Sequence, residues 1–206
     1  MRFLESKKII TTHASIKPNF TYSENEYFNQ NVYGIEVNDE YNIKYFLCLL
    51  NSNLTNFIIK NISSMINGGY YLYKSDYLSQ IPIKISKDQQ PFIEKADTML
   101  SLNKTLQQQQ SKVINMLQRD YGLEKPTKKL ETWYELSLQS FFAELAKAKI
   151  VLSAVQKDEV QEYFETYQKQ AIATKNQIIA IDKQIDAMVY ELYGLSEEEI
   201  EIVENS

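Results

Sequence analysis

Two long stretches of heptad spacing dominate the second half of the chain. Apolar residues that alternate four and three positions apart line one face of an α-helix. The first seam consists of Phe92, Ala96, Met99, Asn103, Leu106, Gln110, Val113 and Leu117, and the second of Val160, Phe164, Tyr167, Ala171, Thr174, Ile178, Ile181, Ile185, Met188 and Leu192. Asn103 and Gln110 are polar positions of the kind that fixes the register between helices. Because neither seam can stay exposed alone, the pattern predicts an antiparallel, coiled-coil-like hairpin of two long helices.

Local signals predict where these helices begin and end. Gly122 and Gly194 are placed to terminate the two long helices, because glycine readily takes the left-handed conformation that follows a helix. The motifs Thr132-x-x-Glu135 and Ser153-x-x-Gln156 are typical of capping boxes at helix starts. The first would begin an amphipathic connector helix through Leu145, and the second would begin the longer seam helix.

The first half alternates between strand-like and helical spacing. Residues 7–22 begin with β-branched residues and end in a turn, and Val32–Val37 alternates as a half-buried strand does. Asn42–Ile62 has helical spacing that is interrupted at Asn51–Asn53, which predicts two helices or one with a break. Tyr77–Ile83 is typical of a short strand ended by a proline. The predicted fold class is α+β, with a small mixed α/β domain at residues 1–88 and a helical spacer domain at residues 89–206.

One stretch of the first half combines backbone freedom with polar aromatic rings. Asn67-Gly68-Gly69 precedes four tyrosines and a lysine within eight residues. Paired glycines let a backbone approach another surface closely, while tyrosine rings can stack and lysine can pair with a phosphate. The simpler interpretation is a Gly-Gly turn between strands whose tyrosines form half-buried cross-strand pairs. Composition alone favours the simpler interpretation.

Charge is unevenly distributed along the chain, whose net charge is −5. Residues 1–87 carry nine Lys/Arg and seven Asp/Glu, whereas residues 88–206 carry thirteen Lys/Arg and twenty Asp/Glu. Since phosphates require cations, the acidic second half is not expected to grip a nucleic acid, and the first half permits DNA binding within a larger assembly. No apolar run could span a membrane, no signal peptide is visible, and the single Cys48 lies in an apolar run, so we expect a cytoplasmic protein.

The familiar motifs of catalysis are absent from the sequence. It contains no Gly-rich phosphate loop, no His-Glu-x-x-His, no Cys-x-x-Cys and no Gly-x-Ser-x-Gly. The only histidine, His13, has no cysteine or carboxylate at ligand spacing, which favours a structural or polar-contact role. We therefore expect no catalytic residue, no bound metal and no enzyme activity in this chain.

The order of several short motifs resembles a known family. These motifs are Lys17-Pro-x-Phe, Leu47-x-x-Leu-Asn-Ser-Asn-Leu-x-Asn-Phe57, Gly68-Gly-Tyr-Tyr71 and Tyr77-Leu-x-x-Ile-Pro-Ile83, with a long helix after them. In this order they resemble the TaqI-like C-terminal specificity domain. That domain is the target-recognition region of type IIG restriction-modification enzymes and of related adenine-specific DNA methyltransferases. The paired helices resemble the spacer helices of type I specificity subunits.

The resemblance implies a sequence-specific DNA recognition module. Such a module positions a separate methyltransferase or endonuclease, in the same chain or in another subunit, on double-stranded DNA. S-adenosylmethionine and Mg²⁺ are expected only in those catalytic domains, and no cofactor is expected here. Because this sequence lacks every catalytic domain of the fused enzymes, we expect a fragment or a stand-alone specificity subunit, with a homodimer through the helices as an option.

The predicted DNA contacts lie on loops of the first domain. Lys17 and Lys74 are expected to contact phosphates, and Asn67 has the amide pattern that suits adenine. The full predicted set is Lys8, Thr12, His13, Lys17, Asn67, Gly68, Gly69, Tyr70, Tyr71, Tyr73 and Lys74. The alternative function is a non-catalytic helical assembly module whose α/β part binds protein and does not read DNA.

Overall fold

A computed structural model of the 206-residue chain describes residues 7–24 and 31–206. Within these residues, the strands are β1 (Lys7–Thr12), β2 (Ala14–Ser15), β3 (Thr21–Glu24), β4 (Val32–Glu36), β5 (Met65–Ile66) and β6 (Tyr70–Leu72). The α-helices are α1 (Ile43–Asn51), α2 (Asn53–Ile62), α3 (Ser75–Leu78), α4 (Gln90–Tyr121), α5 (Lys128–Glu131), α6 (Leu138–Lys147), α7 (Ala154–Tyr193) and α8 (Glu197–Glu204), and a 3₁₀ helix spans Trp133–Glu135. The fold is α+β, as predicted.

The chain divides into two compact units. The head unit comprises Met1–Thr98 together with Ile181–Ser206, and the helical unit comprises Met99–Ala180. The C-terminal residues therefore belong with the first part of the chain, although they are distant from it in sequence. The division into independent domains at residues 88 and 89 stays a prediction.

Two small antiparallel sheets form the β part of the head unit. Sheet A has the order β3-β1-β4, and sheet B has the order β2-β6-β5. The central strand β1 is rich in β-branched residues, and its Ile9 is fully buried beneath the packing helix α1. The alternation at Val32–Val37 does form a strand, β4, which pairs with β1 through Ile9 and Ile35.

The predicted interruption between the first two helices is confirmed. Ser52 lies between α1 and α2 in an extended conformation, and its hydroxyl accepts a hydrogen bond from the backbone N–H of Thr55. A serine oxygen satisfies one of the backbone donors that a helix start leaves unpaired. Asn51 continues the link to the sheet, because its side chain exchanges hydrogen bonds with the backbone N–H and C=O of Phe20.

The predicted strand at Tyr77–Ile83 was wrong. Its first residues belong to helix α3, and no strand is formed by residues 79–88. Two tyrosine hydroxyls form hydrogen bonds with the extended backbone at Pro82 and Lys84 instead. Tyr193 donates to Pro82 O (2.6 Å) and accepts from the Lys84 N–H (3.1 Å), and Tyr45 donates to Lys84 O (2.6 Å). Side chains from distant helices thus replace a neighbouring strand.

The core of the helical unit surrounds the only tryptophan. Trp133 is fully buried, and its indole N–H donates to the backbone oxygen of Gln110 (3.1 Å). Its ring packs against Phe141 and Phe164, with centroids 6.3 Å and 5.5 Å away. These contacts join α4, α6 and α7 through the 3₁₀ helix between them.

Helix ends were predicted with mixed success. The left-handed φ values of Gly122 and Gly194 confirm that these residues follow α4 and α7. The Ser153-x-x-Gln156 capping box is also confirmed, since each residue's backbone N–H donates to the other's side chain. The Thr132 box was wrong. Thr132 makes no capping hydrogen bond, and Ser137 caps α6 instead.

The second predicted seam is confirmed along its length. Every one of its ten residues is at least partly buried. In the helical unit, the Lys112 amine lies 5.0 Å from the ring centroid of Tyr167, and Tyr121 donates to Glu159 (3.4 Å). Residue numbers rise along one helix as they fall along the other, so the pair is antiparallel, as predicted. Asn103 is exposed and bonds only to the backbone of its own helix, so it does not fix the register.

The C-terminal part of α7 buries a second face that the seam did not predict. Asp186, Val189 and Tyr190 are buried within the head unit. Asp186 accepts a hydrogen bond from the backbone N–H of Asn53 (2.7 Å), at the first turn of α2. A carboxylate is favoured there by the unpaired N–H groups and the dipole of the helix. Within the head unit, this contact fastens the C-terminal part of α7 to α2.

We predict that Phe164→Ala will destabilise the helical unit by about 3–4 kcal/mol, because it removes a large ring from a packed core and leaves a cavity. Unfolding in urea can be followed by the fluorescence of Trp133, which lies beside the deleted ring. Ile172→Ala, at an exposed position of the same helix, is the matched control and should change the free energy of unfolding by less than about 0.5 kcal/mol. Equal effects of the two variants would contradict this packing.

We also predict a pH dependence that originates at Asp186. Burial raises the pKa of its carboxyl to about 6, opposed by the Asn53 hydrogen bond and Lys17, and assisted by Asp182 and Glu204. Since the unfolded chain has an aspartate pKa of about 3.9, the folded state binds the proton more tightly, and stability contributed by this group is lost as pH rises from about 4 to about 6.

The variant Asp186→Asn retains an oxygen acceptor for the Asn53 N–H but carries no charge. We expect it to reduce the loss of unfolding free energy between pH 4.5 and pH 7 by about 1 kcal/mol, after allowance for solvent screening. Urea titrations at the two pH values measure this difference. Asp158→Asn, an exposed aspartate on the same helix, should leave the wild-type pH dependence in place. An unchanged dependence in Asp186→Asn would refute the assignment.

Candidate nucleic-acid interface

Sheet B brings together the two segments that sequence analysis selected as DNA contacts. Ala14 pairs with Leu72, and Ser15 pairs with Tyr71. The backbone N–H of Tyr73 donates to the carbonyl of His13 (2.9 Å), which extends the pairing by one residue. Residues that lie far apart in sequence therefore form one continuous backbone surface.

The Gly-Gly segment is the turn of a short hairpin. β5 and β6 pair through Met65 with Tyr71 and Ile66 with Tyr70, and residues 67–69 connect them. Gly68 and Gly69 have φ values of +91° and +78°, in the left-handed region that favours glycine. The simpler interpretation, a glycine turn between strands with cross-strand tyrosines, therefore describes the local structure correctly. Whether the turn can also bind a partner depends on which of its residues are exposed.

The tip of the hairpin is open to solvent. Asn67, Gly68, Gly69 and Tyr70 are exposed, while Tyr71 and Lys74 on the following strand and loop are partly buried. The ring of Tyr70 lies over Gly68, because a Cβ added at Gly68 would be 3.2 Å from the Tyr70 ring. The tip thus presents an amide, bare backbone and an aromatic ring side by side.

Thr12 and His13 are held in fixed positions beside this hairpin. The Thr12 hydroxyl donates to Ala14 O (3.1 Å) and accepts from the amide of Asn19 (2.7 Å). The His13 ring stacks against Tyr33, with centroids 5.9 Å apart, and its backbone N–H donates to Asn31 O (2.8 Å). Thr12 is exposed and His13 is partly exposed, so both have surface available to a partner.

Two of the predicted contact residues lie inside the head unit. Lys8 and Tyr73 have no exposed surface. Tyr73 packs edge-to-face against Phe20, and burial raises the pKa of its hydroxyl. Neither side chain can reach a molecule at the surface in this conformation. We therefore remove both from the set of direct contacts and regard them as support for the strands that carry the others.

The strands of sheet B lie in an acid-free part of the sequence. Residues 12–22 and 59–75 include all three strands and contain Lys17, Lys60 and Lys74, with no Asp or Glu. Lys60 is already engaged, since its amine donates to Ser206 O (2.9 Å). Lys17 is exposed, with an electrostatic interaction with Asp186, and Lys74 is partly exposed, so these two remain as candidate phosphate contacts.

Grouping residues by compact unit reverses the charge assignment made from the sequence halves. The head unit contains eleven Lys/Arg and eighteen Asp/Glu, a net charge of −7, and the helical unit contains eleven and nine, a net charge of +2. Residues 181–206 account for most of the change, because they contribute eight Asp/Glu and one Lys to the head unit, and residues 88–98 add three Asp/Glu and one Lys. The helical unit is therefore not acidic, although the second half of the sequence is.

Sequence reasoning missed the apolar part of this surface. Met65 and Ile66 are exposed on β5, and Ile16 is exposed next to β2. The sequence carried a signal, because neighbouring residues of a strand point to opposite faces, so the two apolar residues before the Gly-Gly turn could not both pack inward.

Among the described residues, no three His, Cys, Asp or Glu side chains are grouped as a metal site would require. None of the described helices has an apolar stretch long enough to cross a bilayer.

We predict that alanine at either turn glycine will destabilise the hairpin. A residue with a Cβ is strained at these positive φ values, so we expect a loss of unfolding free energy of about 1 kcal/mol in each variant. Gly68→Ala also displaces the Tyr70 ring, whereas a Cβ at Gly69 meets nothing within 4 Å. NMR shifts of the Tyr70 ring should therefore change more in Gly68→Ala than in Gly69→Ala. Equal shifts in the two variants would contradict the described turn.

Two family models match the chain. The model described as the TaqI-like C-terminal specificity domain matches residues 1–83, which confirms the resemblance drawn from the short motifs. A second model, described as a domain of unknown function (DUF8810), matches residues 85–189. No curated protein matches the chain.

Proposed function

We propose that this chain, which belongs to the DUF8810 family and carries a TaqI-like C-terminal specificity domain at residues 1–83, recognises a DNA sequence on behalf of a restriction-modification enzyme. The specificity domain supports a role in restriction-modification. The finer statement, that this domain reads duplex DNA directly and positions a catalytic partner, is our proposal.

The observation that carries the proposal is the pairing of β2 with β6. It joins the Thr12–Lys17 segment to the Gly-Gly hairpin, so that exposed polar groups from both lie on one backbone scaffold. A β-ribbon of this kind fits the major groove of B-DNA, which is about 12 Å wide. Contacts built on paired strands are better positioned than contacts on separate loops.

The contacts divide into two roles. Lys17 and Lys74 supply cations for phosphates, which fix the orientation of the protein without reading sequence. Asn67 at the exposed turn can donate to and accept from the edge of an adenine, and Thr12 and His13 can bond to other base edges. The two glycines at the turn have no side chains, which allows the backbone to come close to the base edges.

Chemistry is assigned to a partner and not to this chain. The methyltransferase or endonuclease, with its S-adenosylmethionine or Mg²⁺, would lie in another domain or subunit. The helical unit would set the spacing between recognition and catalysis, as the spacer helices of type I specificity subunits do, and two copies could associate through such helices.

We predict that Lys17→Ala and Lys74→Ala will each weaken DNA binding similarly on all sequences. A lysine that contacts one phosphate releases about one counterion, so each variant should lower the slope of log affinity against log salt by about 1. Fluorescence anisotropy with a labelled duplex at several salt concentrations measures both quantities. Lys157→Ala, an exposed lysine of the helical unit, is the matched control and should behave as wild type.

An unchanged slope in both variants would remove these lysines from the interface. Absence of wild-type binding at about 50 mM salt, where non-specific contacts are strong, would contradict the proposed function itself.

One observation favours a second candidate, a protein-assembly module. The head unit has a net charge of −7, whereas a DNA-binding domain is typically basic. Under this alternative, the exposed surface of sheet B would contact a protein. The same binding experiment separates the candidates, because an assembly module would not bind duplex DNA at low salt.

A further inference from the structure

We infer that the β5–β6 hairpin reads the C5-methyl groups of thymine in the major groove, so that the recognised sequence contains A·T pairs where the hairpin docks. This inference rests on the proposed function and specifies the bases that the same surface takes. Three of its residues, Ile16, Met65 and Ile66, were not selected by the motif resemblance.

Four apolar or aromatic side chains are exposed around the hairpin. The exposed fractions are 65% for Met65, 43% for Ile66, 42% for Tyr70 and 51% for Ile16. Ile66 is directly opposite Tyr70 across the ladder, and Ile16 follows Ser15, which pairs with Tyr71. Because paired residues share a face and successive residues alternate between faces, Ile66 and Tyr70 form an exposed patch on one face of the hairpin, while Met65 is exposed on the opposite face. A patch that leaves this much apolar surface in water is typical of a binding surface.

The surroundings of the patch favour DNA as its occupant. No Asp or Glu lies within residues 12–22 or 59–75, although the head unit as a whole is acidic. Lys17 directly follows Ile16, and Lys74 follows β6 after one residue. The strands carry no acid and have a lysine on each side that can pair with phosphates, while Asp76 is exposed near Lys74 and Asp186 interacts electrostatically with Lys17. A two-stranded β-ribbon also has the dimensions that enter a major groove.

Thymine is the base whose major-groove edge offers a methyl group to an apolar side chain. All four bases present hydrogen-bonding groups in the major groove, and thymine alone adds a methyl group. Asn67 lies at the turn directly after Ile66 and has the amide pattern for adenine. The polar and apolar groups of one hairpin thus suit the two bases of A·T pairs.

The test begins with selection of preferred duplexes from a random pool by the full chain. Thymines in the selected site are then replaced by deoxyuridine, which removes the methyl group and keeps every hydrogen-bonding group. We expect affinity to fall by about fourfold for each contacted methyl, the effect of losing one buried CH₂-sized group. The salt dependence should not change, because no phosphate contact is lost.

The variant Met65→Ser/Ile66→Ser should bind the thymine and deoxyuridine duplexes equally. Because both residues are exposed, the fold should tolerate the changes, and circular dichroism checks this. Ile202→Ser, an equally exposed apolar position on α8, is the matched control and should keep the wild-type preference for thymine.

Equal wild-type affinity for the two duplexes would overturn the inference while leaving the proposed function intact. A thymine preference that survives in Met65→Ser/Ile66→Ser would also overturn it, because other residues would then read the methyl group. If the wild-type chain binds no duplex, the proposed function fails, and an exposed patch that contacts protein becomes the explanation.

Discussion

The backbone pairing between residues 13–15 and 71–73 is the contact on which the candidate surface depends. Each strand of sheet B has only two or three residues, and such short ladders are marginal in water. The sheet is held by groups outside it. Ser63, at the end of α2, donates to the Leu72 carbonyl and accepts from the Leu72 N–H, and Tyr73 is buried just beyond. A strand bonded on both edges and anchored at its end can carry an exposed turn without losing its position.

The proposed DNA surface lies on an acidic unit, so the local distribution of charge matters. The acidic residues that give the head unit its net charge are concentrated in its C-terminal segment, residues 181–206, and not in the strands of sheet B. At physiological salt, screening acts over about 8 Å, so the local composition of a surface matters more than the total charge of the unit. The acidic segment would still lower non-specific affinity, which leaves base contacts to supply more of the discrimination.

Local sequence patterns correctly predicted those helix boundaries that depend on residues at the boundary itself. The ends of α4 and α7 and the break at Ser52 follow from a glycine or a cap at one position, and heptad spacing found both long helices. Apart from the Thr132 capping box, which is displaced locally by Ser137, the failures involve distant partners. Tyr77–Ile83 has strand-like composition, but Tyr193 satisfies its backbone and no neighbouring strand is available. Asp186 lies beside a regular seam, and nothing in the helical period indicates that it reaches α2. The pairing within sheet B was missed for the same reason, although its residues were selected.

The family boundary and the compact unit do not coincide, and this has a physical cause. The specificity-domain match ends at residue 83. Helix α2 lies inside that match, yet the backbone N–H of Asn53 in its first turn donates a hydrogen bond to Asp186, which lies outside it. The other end of α2 leads to Ser63, whose hydroxyl holds Leu72 in sheet B. One short helix therefore connects the C-terminal part of α7 to the strand that precedes Lys74. Since a ten-residue helix is marginal alone, its position depends on both contacts. The distant C-terminal segment thus helps to hold the hairpin in place, and the unit that reads DNA in our proposal includes residues far outside the matched domain.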